Sequence, residues 1–216
     1  MRHAPREHLP RHPHDHGFAA LVLSGGYVEA GDTGRHRMEP GDVLMHRAWE
    51  SHLDGFGARG AEVLVFELPD GAEPPVLGRV ADPDLIARLA ERDPTEAVQV
   101  LHDTLVPGDP TLADWPDLLA LALRADPSLC LGEWATSAGL HLGSVSRGFR
   151  QTFGVTPVAF RLIQRTRRAV DAVLATREPL SAIAFDCGFA DQAHMTRAVV
   201  RLAQASPAAL RRARGT

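Results

Sequence analysis

The chain has 216 residues, 44% hydrophobic and 23% charged, ordinary proportions for one large globular domain or two small ones. No apolar run approaches the roughly 20 residues a membrane-spanning helix needs, and the polar first 16 residues do not read as a secretory signal. The two cysteines, Cys130 and Cys187, are far apart and exclude a disulfide framework or a CxxC metal site, so a cytoplasmic protein without a membrane partner is expected. The net charge of −4 hides an asymmetry. Residues 1–125 carry 11 Arg against 21 acidic residues, and residues 126–216 carry 12 Arg against 6. Two modules are implied, an acidic one (−10) and a basic one (+6) suited to a polyanion. Every cation is Arg, whose planar fork matches phosphate and guanine edges.

Short apolar runs broken by turn residues occupy Phe18 to Leu68. They are Phe18–Leu23, Tyr27–Ala30, Arg35–Met38, Val43–His46 and Glu62–Leu68, separated by Gly25-Gly26, Gly31-Asp32-Thr33-Gly34 and Pro40-Gly41-Asp42. This punctuation predicts an antiparallel sandwich or barrel. Pro69 to Pro75 reads as a linker, and Pro83–Glu91, Pro94–Leu105 and Trp115–Arg124 read as helices with Pro near the first turn. Asp126-Pro127-Ser128 is a second boundary, where the charge changes sign.

Beyond it the pattern is helical and repeats itself. Ala135-x-x-x-Gly139 recurs as Ala184-x-x-x-Gly188, and Arg147, Pro157 and Arg161 recur as Arg197, Pro207 and Arg211. In the first copy a short helix from Leu131 meets a Gly turn at Gly139. A second helix, about 142–152, buries Val145 and Phe149 and presents Ser144, Ser146, Arg147, Arg150 and Gln151. The second copy runs Leu180–Phe185, a turn at Gly188, and a helix over 191–202 that presents Gln192, Thr196, Arg197 and Arg201. A short helix, a tight turn and a polar second helix describe a helix-turn-helix, and Gln and Arg have the donors to pair with adenine and guanine in the major groove. The connecting helix, 157–176, carries a basic cluster, Arg161, Arg165, Arg167 and Arg168. At 1.5 Å per residue it is roughly 30 Å long, close to the spacing of successive major-groove faces.

Residues 131–212 resemble the C-terminal domain of the AraC family of bacterial regulators. The carriers are Gly139-Leu140, Ser146-Arg147-x-Phe149, Phe153-Gly154-Val155-Thr156-Pro157, Ile183-Ala184, Cys187-Gly188-Phe189-Ala190-Asp191-Gln192 and Ser206-Pro207. The resemblance implies two helix-turn-helix units on one long helix, with base-contacting candidates Gly143, Ser146 and Arg147 in the first and Gln192, Ala193, Thr196 and Arg197 in the second. Gly143 and Ala193 lack side chains for readout, and Arg147, Gln192 and Arg197 are the favoured base readers among the rest. Val199 stands where the family usually has an aromatic, and Gln204 where it usually has Gly. His141 stands at the cap position usually held by Ser, which suggests a phosphate contact or a plain surface role. Cys187 is expected to pack rather than react.

Residues 12–68 resemble a small cupin-type sensor of the same family, through His12-Pro-His14, Gly25-Gly26, Pro40-Gly41-Asp42-Val43 and His52. Eight of the 11 His lie within residues 1–52. Three readings stay open for them: a solvated, poorly ordered tail; a divalent-metal site of His12, His14 and His52 with His46 as alternate; or a metal-free small-molecule pocket. The Glu that cupin enzymes place soon after the paired His is absent at Phe18-Ala19-Ala20-Leu21, and Glu29, Glu50 and Asp54 read as solvated turn residues.

The expected fold is therefore α+β: a cupin-like antiparallel barrel at 1–75, a helical linker and dimerisation segment at 76–127, and an all-α domain with two helix-turn-helix units at 128–216. Apolar Leu85, Ile86, Leu89, Leu118, Leu119, Leu121 and Leu123 suggest a homodimer through the middle segment, or else a cover for the sensor core. The expected function is a non-enzymatic transcription regulator that binds double-stranded DNA and answers to an unidentified small molecule or metal. The competing reading is a metal-dependent cupin enzyme with a DNA-binding tail.

Overall fold

The computed structural model describes residues 1–68, 77–108 and 114–213. The linker expected at Pro69 to Pro75 lies outside them. The chain divides into two compact units, Met1–Ala113 and Asp114–Thr216. The segment expected to form one linker, 76–127, is divided between them.

Among the described residues, the first unit is an eight-stranded antiparallel sheet: β1 (Arg2–His3), β2 (His8–Pro13), β3 (Phe18–Gly31), β4 (Gly34–Met38), β5 (Asp42–His46), β6 (Ser51–Glu67), β7 (Leu77–Arg79) and β8 (Val106–Pro107). Helices α1 (Pro83–Ala90) and α2 (Pro94–Thr104) belong to it. The order is β1-β6-β3-β5-β7-β8, with β2 also on β6 and β4 also on β3. This path does not return on itself among the described residues, so the sheet is open where the sequence suggested a closed barrel. The first 16 residues are not a loose tail, because β1 and β2 both pair with β6.

Two runs expected as separate strands, Phe18–Leu23 and Tyr27–Ala30, are one strand, β3. Gly25-Gly26 is an irregularity in it rather than a turn, since the pairing with β6 shifts register between Val22 and Ser24 and between Gly25 and Tyr27. Gly25 has φ +75°, and a Cβ on it would stand 2.1 Å from the Gly60 carbonyl oxygen, so only glycine fits. Along β3 the faces alternate. Phe18, Ala20 and Val22 join Leu44, Phe56 and Val63 in one cluster, while Ala19 and Leu21 join Val43, Ile86, Ala97 and Leu101 beneath the helices.

The second unit is all-α. Its helices are α3 (Trp115–Ala125), α4 (Leu131–Ser137), α5 (Leu142–Phe153), α6 (Pro157–Ala175), α7 (Leu180–Asp186), α8 (Gln192–Ala203) and α9 (Pro207–Ala213). The sequence placed most of these boundaries within one or two residues, because each helix carries its own start and stop signals. Asp114, Thr156 and Asp191 accept backbone N–H groups as N-caps, Pro157 opens α6, and Gly154 closes α5 at φ +73°. Phe149, Phe153 and Phe160 are fully buried, with ring centroids 4.6 to 5.6 Å apart. Truncating any one to Ala would cost about 3–5 kcal/mol. Of the apolar residues expected at a dimer contact, Ile86, Leu119 and Leu123 are buried within their own units and Leu89 packs against the core cluster there. Leu85, Leu118 and Leu121 remain exposed.

Candidate nucleic-acid interface and histidine cluster

The repeat is an exact structural repeat at its turns. After α4, the N–H of Leu140 bonds the Ala135 carbonyl (2.8 Å) and that of Gly139 the Thr136 carbonyl (3.1 Å). After α7, Phe189 bonds Ala184 (2.9 Å) and Gly188 bonds Phe185 (2.9 Å). These paired bonds close a Schellman-type turn, with Gly139 at φ +66° and Gly188 at φ +74°. Ala135 and Ala184 are buried, so the following helix packs closely across each turn. Leu140 and Phe189 are the residues that lead the chain into α5 and α8.

Each following helix buries one stripe, Val145, Phe149 and Phe153 in α5 and Met195 and Val199 in α8. The opposite face carries the expected DNA-facing side chains. Ser144, Arg147 and Arg150 are exposed on α5, with Ser146 half-buried; Gln192, Arg197 and Arg201 are exposed on α8, with Thr196 half-buried. Arg147 Nη2 lies 3.5 Å from Ser144 Oγ. The start of α5 is capped by His141, whose Nδ1 accepts the Gly143 N–H at 3.2 Å, the position that Asp191 fills in α8. The connector α6 has 19 residues, about 28 Å at 1.5 Å per residue.

Two connector arginines are already engaged within the fold. Arg161 donates Nη2–H to the Leu129 carbonyl (2.7 Å), and Arg165 donates to the carbonyls of Pro127 (2.9 Å) and Gly188 (3.1 Å). They pin the chain before α4 and the second turn to α6. Arg211, the repeat partner of Arg161, donates to the Val173 carbonyl of α6 at 3.3 Å. α3 is part of this unit as well: Trp115 packs its indole edge against Gly148 of α5, where a Cβ would come within 2.5 Å of Cζ2.

The second candidate site lies in the first unit. Strand register assembles it. His12 on β2 stands opposite His52 on β6, Glu29 on β3 stands opposite Asp54 on β6 and His36 on β4, and His46 on β5 stands opposite Phe18. Residues directly opposite across antiparallel strands share a face. His12, His14 and His52 bring one ligand atom each to within 4.8 Å of one another, and Glu29, His46 and His52 form a second such group. His46 thus joins the cluster from behind His52 rather than beside His12 and His14.

The carboxylates expected as solvated turn residues are buried: Glu29 is 1% exposed, Glu50 3% and Asp54 4%. The periodic pattern missed them because the irregularity at Gly25 changes the face parity of β3, and Asp54 lies inside the long β6 rather than in a turn. Glu29 Oε2 is 3.1 Å from His52 Nδ1 and 3.3 Å from His46 Nε2, Asp54 Oδ1 is 3.1 Å from His52 Nδ1, and Glu50 Oε2 is 3.4 Å from His46 Nδ1. Burial alone would push both imidazoles down, but the facing carboxylates reverse this and hold His46 at about 9 and His52 at about 10. Glu29 is held below the usual carboxylate range: burial opposes its charge, and His46 and His52 outweigh burial. His14 has no such support. Burial and the neighbouring His52 lower it to about 4, so it is the neutral acceptor in the 2.9 Å contact between His14 Nε2 and His52 Nε2.

Comparison with known proteins bears on the second unit. Residues 134–213 match the family model described as a helix-turn-helix domain. No curated protein matches the sequence. Solved structures similar to parts of the chain include the C-terminal domain of AraT, a response regulator from Geobacillus stearothermophilus, at 21% identity over 48% of this chain and 88% of that one, with TM-score 0.44. The DNA-binding domain of AdpA, a global transcriptional factor solved in complex with a target DNA, is 21% identical over 47% and 93%, with TM-score 0.43. ToxT from Vibrio cholerae, solved with an unsaturated fatty acid, is 9% identical over 95% and 91%, with TM-score 0.43. No helix among the described residues is long and apolar enough to cross a membrane.

Proposed function

We propose, on the premise that residues 134–213 make this chain a member of the AraC-type helix-turn-helix regulators, that it is a sequence-specific transcription regulator whose β-unit senses a small molecule or metal. α5 and α8 serve as paired recognition helices. Arg147, Gln192 and Arg197 contact base edges, while Ser144, Ser146, Arg150, Thr196 and Arg201 complete the DNA-facing surface. The reading includes a cupin-like role for the first unit, a cytoplasmic setting and a homodimer that uses exposed Leu85, Leu118 and Leu121.

The observation that carries it is the duplicated turn. The same two hydrogen bonds after Ala135 and after Ala184 hold a polar-faced helix at each copy, in the half of the chain with net charge +6. The test is selection of duplexes from a randomised pool by the full chain, followed by competition at varied salt. Affinity should fall steeply as salt rises, because Arg–phosphate contacts release counterions. Arg147→Ala and Arg197→Ala should each cost about 1–3 kcal/mol at particular base pairs. If both weaken every duplex equally, they are not base readers. Turnover of a small organic substrate by a metal-loaded chain, with no selected duplex, would favour the enzyme instead.

A further inference from the structure

We infer that Arg165 of α6 sets the base preference of the second helix-turn-helix without touching DNA: its guanidinium fork bridges the turn before α8 to the segment that leads into α4, and so fixes where Gln192 and Arg197 point. The inference rests on the reading of α8 as a recognition helix and adds a positioning residue to it.

Three observations support it. First, the two arms of the fork grip separate parts of the unit. Nη1 donates to the Gly188 carbonyl at 3.1 Å and Nη2 to the Pro127 carbonyl at 2.9 Å. Second, the guanidinium lies across the turn itself. A Cβ on Gly188 would stand 3.5 Å from Arg165 Nε and 3.6 Å from Cζ, whereas a Cβ on Gly139, at the same place in the first repeat, would meet nothing within 4 Å. Of the two turns, the second is the one clamped in this way among the described residues. Third, the surroundings favour the fork over the charge. Burial, then the neighbouring Arg161 and Arg168, weigh against the charged guanidinium and hold its pKa below the ordinary arginine value. A planar fork still bridges two carbonyls there, which a point charge on a flexible stem does not.

The mechanical consequence is local. Phe189, Met195 and Val199 hold α8 from its buried side, along a line about which the start of the helix can still pivot. The Gly188 carbonyl lies four residues before Gln192, so tying it to α6 stops that pivot. Recognition geometry has to be held within about 0.5 Å and 10–20°. The Pro127 arm refers the clamp to the first helix-turn-helix. Pro127 lies in a turn closed by the bonds of Ser128 N–H and Oγ–H to Asp126 Oδ1, at 2.7 and 2.6 Å, and that turn leads into α4.

The experiment uses the full chain and the duplex selected by it, with the element read by the second unit located as the base pairs where Arg197→Ala loses discrimination. Arg165→Lys keeps the charge without the fork, and Arg165→Gln keeps a donor without the charge. In both, discrimination against single base changes in that element should fall about 5- to 10-fold, part of the span that a paired base contact gives. Discrimination at the base pairs of Arg147 should stay native. The salt dependence should also stay native, because only a lost phosphate contact lowers its slope, by about 1 in Arg165→Gln. Arg168→Lys, exposed on the same helix, should leave discrimination unchanged. Urea unfolding followed through the helical signal shows which variants are folded. Should a variant not fold, nuclear magnetic resonance of the native chain decides: the Arg165 Nη–H signals should be resolved in the free chain, whereas those of Arg147 emerge only on the duplex. Native discrimination in both variants, equal relaxation at both elements, a slope that drops with Arg165→Gln, or Arg165 signals that emerge only on the duplex would overturn the inference and leave the DNA-binding reading standing. A native chain that selects no duplex would overturn both.

Discussion

Gly148 offers a sharp test of how the first recognition helix is held. It lies mid-helix in α5, next to Arg147, and a Cβ there would meet Trp115 Cζ2 at 2.5 Å and Cη2 at 2.9 Å. Carbon atoms in contact sit 3.5–4.0 Å apart, so Gly148→Ala must displace the α3 indole or α5 itself by about 1 Å. Two terms oppose each other. Alanine favours the helix by about 1 kcal/mol over glycine, and the overlap costs about 1–3 kcal/mol. The net expectation is a loss of about 1 kcal/mol, with weaker binding of the selected duplex, because Arg147 moves with the backbone. Trp115→Ala removes the obstacle, and in that background Gly148→Ala should stabilise the protein by about 1 kcal/mol. The four chains of this cycle can be compared by urea unfolding followed through the helical signal, alongside duplex titration. A Gly148→Ala effect of the same sign and size in both backgrounds would refute the contact, since independent sites add.

Gln204 closes α8 in the left-handed region at φ +53°, the place that Gly154 fills after α5. Gln204→Gly should relieve about 1 kcal/mol of backbone strain and lose about 0.5 kcal/mol from the exposed bond of Gln204 Nε2 to the Arg201 carbonyl, for a small net gain in thermal stability. Gly154→Ala should lower stability by about 1 kcal/mol; changes of the same sign at both positions would contradict the structural equivalence of the two caps. Arg161→Ala should destabilise the second unit by about 1–2 kcal/mol, because the Leu129 carbonyl loses its donor, while the ranking of duplex sequences stays unchanged. A changed ranking would make Arg161 a base reader.

The second unit was legible because its information is local. Ala at the helix crossing, Gly at the turn, an Asp or Thr cap and an apolar i, i+4 pair each act within one turn of chain, and the repeat states them twice. What the sequence hid there is tertiary. Nothing local separates Arg165, which donates to the Pro127 and Gly188 carbonyls, from Arg168, which is exposed on the same helix. Nor does composition show that α3, expected to be a linker, packs Trp115 into the space left by Gly148.

In the sheet the information is non-local, and the irregularities decide it. Gly25 looked like a turn signal at the end of a short strand, yet with Gly60 it forms the crossing point of two long ones, each with φ near +70°. Reading a strand break at Gly25 left Glu29 in what looked like a solvated turn. Keeping the strand continuous, and carrying it through the shifts between Val22 and Tyr27, puts Glu29 opposite Asp54 and on the face of His52. The same correction accounts for the amino-terminal histidines. A tail has no register and cannot hold three imidazoles at a common point. A strand that sets His12 opposite His52 has already spent the ordering entropy in main-chain pairing and holds the imidazoles in a fixed register. Pre-ordering of this kind needs a supported partner on the facing strand, and Glu29 with Asp54 provides it behind His52. The carboxylates that the sequence assigned to solvent are thus the groups that hold His46 and His52, the buried half of the histidine cluster.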